Sequence, residues 1–125
     1  MNELVLIVDD NEKNAKLARD VLQVAGFRTL EAATGGAGVS LAVEQLPDVV
    51  LMDIRLPDMD GVEALRTLRG INATAAIPVV ALTALAMRGD PERFLEEGFD
   101  GYLEKPISVR EFPQQVRAFC ASDNG

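Results

Sequence analysis

Asp9, Asp10, Asp53, Thr83 and Lys105 carry the side chains from which a reaction could be assembled. Each stands at or just beyond the end of a short run: Asp9 and Asp10 after Leu4 to Val8, Asp53 after Val49 to Met52, Thr83 after Pro78 to Leu82, and Lys105 after Gly101 to Glu104. If these runs are strands of one parallel sheet, the residues share one rim, because ligands of such sheets bind outside the carboxyl ends of the strands. Carboxylates gathered there repel one another, and a cation among them relieves the repulsion. Oxygen ligands of high charge select a hard ion, for which magnesium is the abundant candidate. Magnesium uses one or two carboxylates and keeps a position open for a phosphoryl oxygen. Lys105 offers a point charge to such an oxygen and Thr83 a hydroxyl donor. Phosphoryl transfer is catalysed mainly by positioning and charge neutralisation, so this set makes Asp53 a candidate nucleophile that forms an aspartyl phosphate.

The elements that must position these residues follow from the hydrophobic pattern. Leu4 to Val8, Val49 to Met52 and Pro78 to Leu82 are nearly unbroken apolar runs, too short for helices and suited to strands covered on both faces. Arg28 to Ala32 and Gly101 to Glu104 mix polar with apolar residues and read as edge strands. Between them lie helical stripes: Ala18, Val21, Leu22 and Ala25 in a helix from about Glu12 to Ala25, stopped by Gly26; Val39, Ala42, Val43 and Leu46 before Pro47; Val62, Leu65 and Leu68; and Val109, Phe112, Val116 and Phe119. Asp90-Pro91 reads as an N-cap and first helical position for a short helix ending at Gly98. Strand and helix alternate five times, which predicts an α/β fold: a flavodoxin-like (βα)5 doubly wound parallel sheet of order 2-1-3-4-5, with the first and third strands adjacent.

Bulk properties narrow the function classes. The 125 residues are 48% hydrophobic and 26% charged, with no linker-like or low-complexity stretch, so one folded domain is expected over 1–121 with a tail at 122–125. A net charge of −8 opposes sequence-independent binding to nucleic acid or to an anionic membrane. Cys120 is the only cysteine and histidine is absent, so internal disulfides and multi-cysteine zinc sites are excluded and any metal is held by oxygen. No apolar run approaches the ~20 residues of a membrane span, and the five-residue run after Glu3 lacks a signal peptide's basic leader, which points to the cytoplasm.

Taken singly, each residue has a duller account. Asp9-Asp10 could cap a helix, Asp53 could form a turn, Thr83 could bond to backbone, Lys105 could be a solvated lysine and Tyr102 an edge-strand aromatic. Their joint placement at one rim is what favours chemistry. Gly35, Gly36 and Gly38 are not a phosphate fingerprint, since they follow the second strand and lack its spacing.

Val8-Asp9-Asp10, Leu51-Met52-Asp53-Ile54, Leu56-Pro57 through Asp60-Gly61, Leu82-Thr83-Ala84 and Lys105-Pro106 occur in an order that resembles a response-regulator receiver domain across essentially the whole chain. Within that family, Leu82 to Pro106 followed by Ile107-Ser108 is similar to the DivK type of single-domain regulator. The resemblance implies that Asp53 is phosphorylated, and that magnesium, with manganese as a substitute, is bound by Asp10 and Asp53, by Asp9 largely through water, and by the backbone carbonyl of Arg55. It implies a switch in which the Thr83 hydroxyl moves toward the phosphoryl group, Tyr102 turns inward and Ala84 leaves room. The peptide before Pro106 is expected to be cis. Arg55 and Leu85, two residues beyond Asp53 and Thr83, face the phosphoryl group in the family; an apolar Leu85 cannot orient attacking water, which implies a long-lived phosphoryl state. Pro113 should kink or delay the last helix, in conflict with a capping box suggested by Ser108 and Glu111.

The expected function is a stand-alone switch rather than a turnover enzyme. It takes phosphate from a sensor histidine kinase or histidine phosphotransfer protein and binds a downstream protein through the face of the fourth helix, fifth strand and fifth helix. Neither nucleic acid nor membrane is expected as a partner. Met1 and the short tail favour a complete protein, the alternative being a receiver excised from a hybrid kinase. Two rivals are a phosphorylation-independent scaffold and a magnesium-dependent phosphatase of the haloacid dehalogenase type. The latter places its nucleophile after the first strand with a second Asp two residues on, where this chain has Arg55.

Overall fold

The computed structural model describes residues 3–83, 91–105 and 107–120. Ala84, Leu85, Asp90, Pro106, Met1 and the tail fall outside the described residues. Ten elements alternate along the chain: β1 (Leu4–Val8), α1 (Glu12–Val24), β2 (Arg28–Ala32), α2 (Gly35–Gln45), β3 (Val49–Asp53), α3 (Gly61–Arg69), β4 (Val79–Thr83), α4 (Pro91–Glu97), β5 (Gly101–Glu104) and α5 (Phe112–Phe119). The five strands form one parallel sheet in the order β2-β1-β3-β4-β5. β1, β3 and β4 are buried at every position, as continuous apolar runs covered on both faces must be, while the polar positions of β2 and β5 meet solvent at the edges. Both outer runs are therefore edge strands, as their mixed composition predicts.

Strand alternation divides the core into two layers. Val5, Ile7, Val49, Leu51, Val80, Leu82 and Leu103 point to the side covered by α1 and α5, against Ala15, Ala18, Leu22, Phe112 and Val116. Leu6, Val8, Val50, Met52, Val79 and Ala81 point to the other, against Ala42 of α2 and Ala64, Leu65 and Leu68 of α3. Each fully buried large side chain of this set contributes about 1.5–3 kcal/mol relative to an exposed one. Two of the five helices thus lie on one face and three on the other, and the winding direction reverses between β1 and β3.

Helix ends are set by recognisable devices. Asn11 caps α1 by accepting from the Asn14 amide at 3.0 Å, and the helix stops at Gly26, whose φ of +99° suits only glycine. α3 opens on the capping box of Asp60 and Glu63. α5 begins only at Phe112: Ser108 accepts from the Glu111 amide at 3.3 Å, Glu111 makes no side-chain cap, and Pro113 lies in the first turn, where no amide is needed. The proline therefore delays the helix, and Val109 remains exposed outside it instead of opening its apolar stripe.

α2 departs from the pattern in its sequence. Val43 and Leu46 are exposed, and the helix turns Gly35, Gly38 and Ala42 inward. The reason is close approach: a Cβ at Gly38 would lie 2.7 Å from a methyl of buried Val8. Small residues rather than the apolar stripe set which side faces the sheet.

Gly38→Ala weighs two effects against each other. Alanine improves helix propensity by about 1 kcal/mol, whereas overpacking a filled core costs about 1–3 kcal/mol. The expected outcome is a net destabilisation of about 1 kcal/mol in urea unfolding, and a stabilised variant would show that α2 can move off the sheet.

Candidate functional site

The fold brings the sequence-predicted acids together. Carboxylate oxygens of Asp9, Asp10 and Asp53 lie within 4.8 Å of one another, with Asp9 and Asp53 buried and Asp10 exposed. β1 and β3 are hydrogen-bonded neighbours, so their carboxyl ends deliver these residues side by side. Asp53 is the last residue of β3 and Thr83 the last of β4; both belong to the strands rather than to the loops that follow. A cleft of about 340 Å³ opens above them, lined by Asp10, Asn11, Asn14, Asp53, Ile54, Arg55, Thr83 and Lys105.

Side-chain parity fixes who touches whom. Leu103 shares its face with Leu82, and Asp53 pairs in register with Leu82, so continuing the alternation puts Asp9, Asp53 and Lys105 on the α1/α5 side. There Lys105 Nζ lies 3.0 Å from Asp9 Oδ2 and 3.1 Å from Asp53 Oδ2, bridging the two acids. The remaining oxygens are held by backbone: the Asn11 amide donates to Asp9 Oδ1 at 2.9 Å and the Arg55 amide to Asp53 Oδ1 at 3.2 Å. Burial raises the pKa of Asp53, opposed by Lys105 and the Arg55 amide, while the charge of Asp9 adds to the rise; the net direction is upward. For Lys105, burial acts to lower the pKa, but the hydrogen bonds and charges of Asp9 and Asp53 outweigh it and the net direction is again upward. Burial thus disfavours both charged forms, and the ion pair opposes it at each group.

Thr83 is buried and, with Tyr102, faces the opposite side of the sheet, since the register pairs Ala81 with Tyr102 and Thr83 with Glu104. The Tyr102 ring is partly buried and sits 6.4 Å from the Phe94 ring of α4, which meets Phe99 edge-on at 6.2 Å. Arg55 is exposed on the cleft wall. Asn11 and Asn14 line the cleft as well and were not expected there; only Asn11 carried a signal, as the polar residue preceding the first helix.

The donor set fits a hard divalent cation. Three carboxylates converge, no histidine or thiol is near, and the exposed Asp10 faces the cleft while Asp9 is committed to Lys105 and Asn11. Among the described residues no helix is long and apolar enough to cross a membrane.

These features define a class. A family model described as the response regulator receiver domain matches residues 5–117, and the chain belongs to that family of two-component signalling proteins. It is 41% identical over 119 residues to the polar-differentiation response regulator DivK of Brucella ovis, a match covering 95% of this chain and 97% of that one. Among solved structures it resembles the receiver domain of a sensor histidine kinase from Pseudomonas aeruginosa, with a TM-score of 0.86, 34% identity and coverage of 95% of this chain and 98% of that one. That protein holds a magnesium ion in its active-site cleft. The receiver domain of a Francisella response regulator matches at a TM-score of 0.85 and 31% identity, over 94% of this chain and 96% of its own.

Lys105→Met leaves Asp9 and Asp53 facing each other without the bridging ammonium. In magnesium-free buffer the unfolding free energy is expected to fall by roughly 3 kcal/mol, the low end for breaking a buried pair. Added magnesium should recover part of that loss, because a cation then stands in for the missing charge. Urea unfolding monitored by circular dichroism, with chelator or with magnesium, checks this; equal losses in the two buffers would contradict it.

Proposed function

We propose that this chain is a stand-alone phosphorylation switch in which Asp53 accepts a phosphoryl group from a phosphohistidine on a sensor kinase or histidine phosphotransfer protein. The observation that carries the reading is the convergence of Asp9, Asp10 and Asp53 at the ends of β1 and β3, with Lys105 bridging two of them. The chain's 41% identity to a response regulator over 119 residues supports the reading.

An Asp53 oxygen attacks the phosphorus, the new P–O bond forms as the donor's P–N bond breaks, and the imidazole leaves with that electron pair. Lys105, already 3.1 Å from Asp53 Oδ2, meets a phosphoryl oxygen, and the Thr83 hydroxyl donates to another. Asp10, Asp53 and the Arg55 carbonyl would hold magnesium, with Asp9 acting through water. Bound there, the ion, with manganese as a substitute, would neutralise charge on the transferring group.

The same reading assigns the output. Thr83 ends a strand whose side chains on that face pair with Tyr102, so movement of its hydroxyl toward the phosphoryl group is felt by the ring packed beside Phe94 of α4. Tyr102 turning inward would then shift the population of the α4, β5 and α5 face that a downstream protein reads. Ala84, which makes room for the approach, and Leu85, which fails to orient water, complete the assignment from the family pattern.

Acetyl phosphate with magnesium is expected to add one phosphoryl group by intact mass. Asp53→Asn should abolish the gain, and a gain that persists in that variant would overturn the reading. Leu85→Gln should speed loss of the label after donor removal, since an amide can orient water where an isobutyl group cannot; unchanged or slower decay would contradict the role given to Leu85.

A further inference from the structure

The glycines after β2 hold a carboxylate of this chain rather than a phosphate. The Gly35 amide donates to Asp58 Oδ1 at 2.8 Å and the Gly36 amide to Asp58 Oδ2 at 2.9 Å. These hydrogen bonds, Gly36 first, hold the Asp58 carboxyl below its ordinary pKa although the side chain is exposed. α2 already has its own cap, Thr34, which accepts from the Ala37 amide at 3.1 Å. Asp58 therefore joins a distant loop to a helix that is capped without it. Met59 lands on the same spot: a Cβ at Gly35 would lie 2.5 Å from Met59 Cγ, so a side chain there would have to displace that of Met59.

The loop so tethered is the one that leaves the phosphoacceptor. Residues 54–60 connect Asp53 to α3 and are closed at their base by an Arg55–Asp60 bridge and by the Gly61 amide donating to the Ile54 carbonyl at 2.7 Å. Gly61 packs so tightly there that a Cβ would lie 2.5 Å from the Asp53 carbonyl oxygen. Base and tip are thus both fixed, the base on β3 and the tip on α2. Arg55 lies within this frame, and its amide holds Asp53 Oδ1.

We propose that Asp58 is a positioning residue for the divalent ion: by anchoring the loop tip to the amides of Gly35 and Gly36, it holds the Arg55 backbone where its carbonyl can serve as a ligand. The inference rests on the function proposed above. Without the anchor the loop keeps only its base, and the ion must order the rest on binding, which lowers affinity and leaves the saturated site intact.

Titration calorimetry with magnesium chloride alone, on the full chain, tests this. Asp58→Ala is expected to weaken magnesium binding roughly tenfold, the low end of what losing support around a metal site costs. Asp58→Asn, which keeps one acceptor, should lie between Asp58→Ala and the parent, and it carries the test should the alanine variant not fold. The rate of labelling by acetyl phosphate should fall at low magnesium and return to the parent value at saturation. Asp48→Ala is the stability control: Asp48 Oδ2 accepts from the Leu4 amide at 2.8 Å at the amino edge of the sheet, so its loss should destabilise the fold with magnesium affinity unchanged. Unaltered affinity in the Asp58 variants, or an equal loss in Asp48→Ala, overturns the positioning role alone. A parent chain that binds no magnesium overturns the proposed function with it.

Discussion

Two carboxylates buried at the ends of adjacent strands can coexist only if something between them is positive. Asp9 and Asp53 are both almost fully buried, and the Lys105 ammonium touches each at about 3 Å. The rest of the architecture serves this contact. β1 and β3 must be neighbours to bring the acids together, β5 must end level with them to bring the lysine, and β4 must lie between β3 and β5. Burial pushes the Asp53 carboxyl toward its neutral form and acts on the Lys105 ammonium in the same sense. At each group the ion pair opposes what burial does.

The sequence made this frame legible where burial is extreme. β1, β3 and β4 are covered on both faces, so their composition has no polar interruption and their ends are marked by the reactive residues themselves. β2 and β5 were readable as edges for the complementary reason. α2 was misread in part: an apolar stripe through Val43 and Leu46 suggested one buried side, but the helix approaches the sheet through Gly38, and a missing side chain leaves no hydrophobic signal to detect. The start of α5 was ambiguous because Ser108 and Pro113 each propose a boundary, and the proline prevails because its ring fits the first turn. The contact of Asp58 with Gly35 and Gly36 joins residues 22 and 23 positions apart through an exposed carboxylate. Nothing in composition or period distinguishes such a residue from any solvated loop aspartate.

The glycines show how one pattern can be excluded for one purpose and still have another. A phosphate-binding loop needs free amides aimed at a ligand, and here the amides of Gly35 and Gly36 are occupied by Asp58. The electrostatic preference of a helix N-terminus for an anion is met, but by the chain itself. That preference ties the element after β2 to the loop after β3, so the edge of the sheet that carries no reactive residue still bears on the site.

Parity along the strands separates the chemistry from its readout. Asp9, Asp53 and Lys105 project to the side of α1 and α5, while Thr83, one residue out of phase with that set, projects with Tyr102 to the side of α2, α3 and α4. In the proposed switch, a hydroxyl on the far side of the strand from the bridging lysine would approach Asp53 from a different direction, so a group added there could be contacted from both sides of the sheet. On the α1/α5 side the new charge would be taken up within an existing ion pair, with little change of shape. On the other side the Tyr102 ring of β5 packs beside the Phe94 ring of α4. In the proposed switch, a conformational response to phosphorylation would be directed toward α4 and β5 by the half-turn that each residue adds along a strand.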